Sequence, residues 1–170
     1  MDPRITKTNQ AIRDAFLSLR SKYPLDKVKV KDICSVAAIN KTTFYKYYQD
    51  VYALSEKIEN DTIKLFINTF TAKDLLFTDP YKFIVEYPTV LEYYDELLYT
   101  LFRDCRSVFT DKLTQALMKY YQPENYTVAS DIQLSYILNG TFSTMYDMKN
   151  KYSTEAIAEH LAELIKKSSY

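Results

Sequence analysis

Residues 28–54 read VKVKDICSVAAINKTTFYKYYQDVYAL, and the rest of the chain is organised around them. Val30, Ile33, Cys34 and Ala37 recur at three- and four-residue spacing, so they share one helical face. Ile39-Asn40 breaks the pattern, and asparagine tolerates the left-handed backbone that a sharp turn needs. The periodicity restarts at Lys41, where Phe44 and Tyr48 lie one turn apart and face inward together. Lys41 with Tyr45 and Thr42 with Lys46 then form two outward i,i+4 pairs. Two short helices joined by a tight turn, the second (about residues 41–48) carrying a Lys/Thr/Tyr outer face, have the layout of a DNA-reading helix-turn-helix.

The chain has 170 residues and a formal net charge of zero, but the charge is unevenly placed. Residues 1–50 hold ten Lys/Arg against five Asp/Glu, and the remainder holds 12 against 17. A basic front and an acidic back fit a head that binds a polyanion on a body that avoids one; ordinary scatter is the competing explanation. One glycine, one histidine and two cysteines exclude whole classes of chemistry. No phosphate-binding glycine loop, dinucleotide fingerprint or nucleophile elbow can be built, and no Cys/His set has zinc spacing. An enzyme is therefore not expected, nor a cofactor. Two distant cysteines and the polar opening MDPRITKTNQ fit free thiols in a reducing cytoplasm. No stretch approaches the length of apolar sequence that spans a bilayer.

The spacing predicts helices throughout, an all-α chain. Residues 6–21 carry the stripe Ile5, Ile12, Ala15, Phe16 and Leu19, with Arg20 among the polar remainder, and Tyr23-Pro24 ends that helix. Asp50 caps a long fourth helix running from Val51 past Phe70. Asp79-Pro80 starts a short helix and Pro88 a new one. Pro123-Glu124-Asn125 breaks the chain. Residues 128–149 are apolar on two sides and hence buried on two sides, and Ser153 caps a final helix.

The head resembles the TetR family of bacterial transcription regulators. The resemblance rests on Ile33, Ala37-Ala38-Ile39, Thr43-Phe44-Tyr45, Tyr48 and Leu54, and is specific over about residues 6–56. It departs from the family at Ala38, where glycine is usual before the turn; at Lys29, where a threonine often caps the second helix; at Val51, where a basic residue is usual; and at Tyr47, where histidine is common. The resemblance implies a helix-turn-helix DNA-binding domain over 1–50 and a helical regulatory and dimerisation domain over 51–170. It implies a dimeric repressor that binds a pseudo-palindromic operator in double-stranded DNA and is released by a small-molecule inducer.

Lys41, Thr42 and Lys46 point outward and can reach base edges or flanking phosphates. Thr43, Tyr45 and Tyr47 carry hydroxyls suited to phosphate oxygens, where the resemblance places phosphate contacts. Lys29 and Lys31 flank the start of the second helix. Phe66, Phe70, Tyr94, Leu98, Phe102, Leu117 and Tyr136 are candidates to line an inducer pocket, or are simply core. Ile137, Leu161 and Leu164 are candidate dimer-interface residues on the last two helices, a larger intrachain core being the other reading. The rival function is a helical interaction module whose head does not bind DNA specifically.

Overall fold

The computed structural model describes residues 3–121 and 127–168. Among them are nine α-helices and no strand, so the all-α expectation is borne out. The helices are α1 (Pro3–Arg20), α2 (Val30–Val36), α3 (Lys41–Tyr45), α4 (Val51–Thr69), α5 (Pro80–Tyr93), α6 (Asp95–Phe102), α7 (Arg106–Tyr121), α8 (Val128–Met148) and α9 (Thr154–Ser168). Short 3-10 turns cover Leu25–Lys27 and Thr71–Leu75. No described helix is long and apolar enough to cross a membrane.

Local chemistry explains most of the boundaries. The Asp50 carboxylate accepts from the Ala53 amide at 2.7 Å, and Asp79 accepts from Lys82 at 3.2 Å ahead of Pro80. Each satisfies an amide that the first helical turn leaves without a partner. Ser153 Oγ accepts from Ala156 at the start of α9. The start of α8 rests on a pair absent from the sequence expectations. Thr127 and Ser130 form a reciprocal capping box, with Ser130 in the place usually taken by Glu or Gln. The expected start at Pro88 is corrected, because α5 runs through Pro88 to Tyr93 and the break falls at Tyr94. Proline removes one helical hydrogen bond. Burial of Phe83, Ile84, Tyr87 and Val90 along one face holds the helix across that gap. The break expected at Pro123-Glu124-Asn125 lies outside the described residues.

The chain forms two compact units. The first comprises residues up to Thr62 together with Glu96–Cys105. Its core is Ile12 and Phe16 of α1, Ile33 and Cys34 of α2, Phe44 of α3, and Leu54 and Ile58 of α4. Arg20, expected on the solvated side of α1, is instead only 1% exposed. Its guanidinium donates to the carbonyls of Tyr23 (2.9 Å) and Leu101 (3.2 Å) and pairs with Asp104. Arg103 donates to the Ser21 carbonyl, and Asp104 accepts from the Leu25 amide. These bonds fasten Glu96–Cys105 to the end of α1.

The second unit comprises Ile63–Asp95 and residues from Arg106 onward. In it α5 packs on α9 and on the Thr71–Leu75 turn, and α8 packs on α7 and α9. Its interior is aromatic. Phe66 lies 5.9 Å from Tyr94, 6.0 Å from Tyr87 and 5.8 Å from Phe109 between ring centroids. Phe70 stacks at 4.9 Å on Phe83, and Tyr87 at 4.8 Å on Phe142. The spacings are those of edge-to-face and offset aromatic pairs.

Candidate nucleic-acid interface

The turn between α2 and α3 is a complete left-handed helix stop. The Ile39 amide donates to the Cys34 carbonyl at 3.0 Å, and the Ala38 amide to the Ser35 carbonyl at 3.4 Å. This nested pair needs a left-handed residue between helix end and exit, and Ala38 takes that conformation with φ 53°. It is the only described non-glycine residue with positive φ. The sequence expectation that Asn40 supplies the left-handed step is corrected: Asn40 is extended, with φ −87° and ψ 162°, and caps α3. Its side-chain oxygen accepts from the Thr43 amide at 2.7 Å and from the Thr43 hydroxyl at 2.9 Å.

Phe44 is fully buried and fixes the inner side of α3. Tyr48 lies 5.9 Å from Phe44 between ring centroids and donates its hydroxyl to Asn9 of α1 at 3.1 Å. With that face pinned, Lys41, Thr42, Tyr45 and Lys46 are exposed. Thr43 and Tyr47 are half-buried. Thr43 gives its hydroxyl proton to Asn40, so in this arrangement it offers an outside group lone pairs only. Lys29 and Lys31 are exposed at the start of α2, and Lys29 occupies the cap position without a side-chain cap bond. Val51 is 6% exposed and faces inward, while Tyr52 beside it is 61% exposed.

The charges of this unit divide into two sets. Arg13 of α1 and Lys57 of α4 both bind Asp61, at 2.9 and 2.8 Å. Burial would raise the Asp61 pKa, but these two cations outweigh it and hold the carboxyl below its ordinary value. By contrast, among the described residues no carboxylate lies within ion-pair distance of Lys29, Lys31, Lys41 or Lys46. Four free cations are therefore exposed on this helix pair, Lys29 and Lys31 at the start of α2 and Lys41 and Lys46 at the ends of α3, together with the Tyr45 hydroxyl. Burial pushes the Cys34 thiol pKa up, with Lys41 pulling weakly the other way, so the thiol stays protonated within the core.

The other candidate residues fall in different places. Phe66, Phe70 and Tyr94 meet in the aromatic cluster of the second unit, and Leu117 is buried in α7 of the same unit. Leu98 and Phe102 belong to the first unit. Tyr136 is 75% exposed on α8, where it lines a surface groove rather than an interior cavity. Ile137 and Leu161 are 4% and 7% exposed and pack in the core of their own chain. Leu164 is 58% exposed.

Two solved structures share this fold over nearly the whole chain. One is a TetR transcriptional regulator from Streptococcus agalactiae 2603V, with a TM-score of 0.64, 19% identity and 96% of each chain covered. The other is a putative TetR-family transcriptional regulator from Syntrophomonas wolfei str. Goettingen, with a TM-score of 0.56, 18% identity, and 97% of this chain and 96% of that one covered. No protein-family model and no curated protein matches the sequence. The likeness establishes the TetR-type fold.

Proposed function

We propose that this chain is a cytoplasmic, sequence-specific DNA-binding transcription regulator that works as a homodimer, and that it is a repressor released by a small molecule. The observation that carries the reading is the α2–α3 turn. A left-handed stop at Ala38 and a capped start at Asn40 aim Lys41, Thr42, Tyr45 and Lys46 away from the core. Lys41, Thr42 and Lys46 then meet base edges or adjacent phosphates, while Tyr45, Tyr47, Lys29 and Lys31 meet phosphates. Thr43 serves the turn first and the DNA second. Dimerisation supplies two heads for two half-sites. Its surface is the exposed side of α8 and α9, which includes Ile132, Tyr136 and Leu164. An inducer in the second unit would part the rings around Phe66, since those rings already touch.

Selection of bound sites from random duplex DNA tests the reading, followed by salt titration on the selected site. A pseudo-palindromic site, with the log–log salt slope of the bound dimer reduced by about four in Lys41→Ala/Lys46→Ala (two lysines on each of two heads), is expected. Recovery of no preferred sequence, with the double variant binding as the parent does, would leave the interaction-module reading in its place. The inward-facing Val51, where a basic residue is usual in the family, favours that rival.

A further inference from the structure

Arg106 opens α7 and Lys149 follows α8 as its C-cap, and both cations lie on the same ring of the second unit. The Arg106 guanidinium carbon stands 4.8 Å from the centroid of Tyr146, and the Lys149 ammonium 4.6 Å from it. Arg106 also donates to the Tyr146 hydroxyl at 2.7 Å. All three residues are exposed, and among the described residues neither cation lies within ion-pair distance of a carboxylate. The Arg106 hydrogen bond by itself fastens α7 to α8, whereas Lys149 gains the ring only by facing a like charge there. Behind the pair lies the aromatic interior. Phe109 comes three residues after Arg106 on α7 and Phe142 four before Tyr146 on α8, so each shares a helix face with the residue at the surface. Phe142 stacks on Tyr87 at 4.8 Å, Tyr87 meets Phe66 at 6.0 Å, and Phe66 meets Phe109 at 5.8 Å. A run of touching rings therefore joins α8 below Tyr146 to α7 below Arg106. Burial pushes the Tyr87 hydroxyl pKa up and Arg106 acts on it the other way, so the guanidinium charge reaches that buried ring.

We infer that the small molecule taken by the second unit is an organic anion with an aromatic body, its carboxylate held by Arg106 and Lys149 and its ring placed among Phe142, Tyr87 and Phe109. The residues set each half of that chemistry. A carboxylate accepts from a guanidinium in a two-bond fork, with hydrogen bonds shorter and stronger than the one Arg106 now makes to a neutral phenol. It also replaces the repulsion between two cations with the attraction of both to one centre. A cationic ligand would be repelled by both, and a neutral one would gain no charge pairing from either. The rings behind accept a flat apolar body best, because an incoming ring can take over the edge-to-face and offset contacts of a ring that it displaces. The inference rests on the small-molecule part of the function proposed above and names the class of that molecule.

Titration calorimetry on the full-length chain tests it, with three probes that share one ring system and differ in charge: naphthoate, naphthylmethanol and naphthylmethylammonium. Naphthoate should bind roughly tenfold more tightly than the alcohol, the ammonium most weakly, and the preference should shrink as salt is raised. Arg106→Gln and Lys149→Gln should each weaken naphthoate roughly threefold and leave naphthylmethanol unchanged, with circular dichroism showing full helix content. Lys149 makes no side-chain hydrogen bond among the described residues, so its variant keeps the test open should Arg106→Gln lose structure. No binding of any probe, naphthoate no tighter than the alcohol, or naphthoate affinity unmoved in Lys149→Gln would each overturn the inference. Adding naphthoate to the protein on its selected DNA separates this from the regulator reading. Charge-selective binding that leaves the DNA bound keeps the site and removes the inducer, and a selected DNA site with no charge preference among the probes removes the site and keeps the regulator.

Discussion

Arg20 and Asp104 form an ion pair in which the cation is buried and the anion is not: the side chains are 1% and 40% exposed and lie 3.0 Å apart. Burial pushes the guanidinium pKa down and the Asp104 carboxylate pushes back, leaving it lowered. Its Nε finds no acceptor among the described residues, so Asp104 and two carbonyls are its hydrogen-bonding partners. Asp104→Ala should therefore destabilise the first unit by about 1–3 kcal/mol, the cost of leaving a buried charged donor short of a partner. Urea unfolding of the variant, followed by circular dichroism, measures it. A change under a few tenths would mean that water already satisfies the guanidinium.

Ala38 holds a left-handed backbone, which costs an L-residue roughly 1–2 kcal/mol. Glycine removes that cost but loses more freedom on folding, so Ala38→Gly should stabilise the protein by a net of about 0.5–1 kcal/mol. Ala38→Val, branched at Cβ, should destabilise it. Thermal midpoints of the two variants are expected to move in opposite directions around the parent.

Lys29→Thr should separate folding from binding. Threonine supplies the side-chain cap that α2 lacks and should add about 1 kcal/mol of stability. The same change deletes a free cation beside the recognition helix. On the proposed function, DNA affinity falls and the magnitude of the log–log salt slope drops by about two, one contact for each head of the dimer. A higher melting temperature with weaker binding is the expected pair of results.

Glu86 gives the second unit a pH dependence. Its carboxylate accepts from the Thr71 amide and hydroxyl, each at 2.7 Å, and from the Ala72 amide at 3.1 Å. Burial alone would raise its pKa, but these hydrogen bonds outweigh burial and hold it below the ordinary glutamate value. A carboxyl depressed in the folded state adds stability that is present above the unfolded value, ~4.3, and disappears as pH falls through the folded value. Glu86→Gln should lower stability at pH 7 and flatten its decline on acidification. Denaturant midpoints collected from pH 7 to pH 3 check both.

The head was legible in the sequence because its elements are local. Phe44 and Tyr48 had to share a face, Asp50 had to cap, and the chain had to turn between Ala38 and Asn40. Which of those residues took the positive φ was not legible, since asparagine is a good cap and a good left-handed residue alike. The remaining misses are all long-range. Arg20 looked like a surface residue because its carboxylate and one carbonyl acceptor come from the far end of α6. Periodicity showed that the faces carrying Ile137 and Leu161 are apolar, and only the structure shows that atoms of their own chain cover them.

Glu96–Cys105 belongs by contact to the unit made by the start of the chain. A chain grows from its N-terminus, so α1 to α3 leave the ribosome well before the segment that neutralises Arg20 is made. During that interval Arg20 holds the Tyr23 carbonyl but lacks Asp104 and the Leu101 carbonyl. The contact set of the head is therefore complete only once α5 and α6 have been made, and a stop codon placed between α4 and Asp104 releases a head without the Arg20–Asp104 pair.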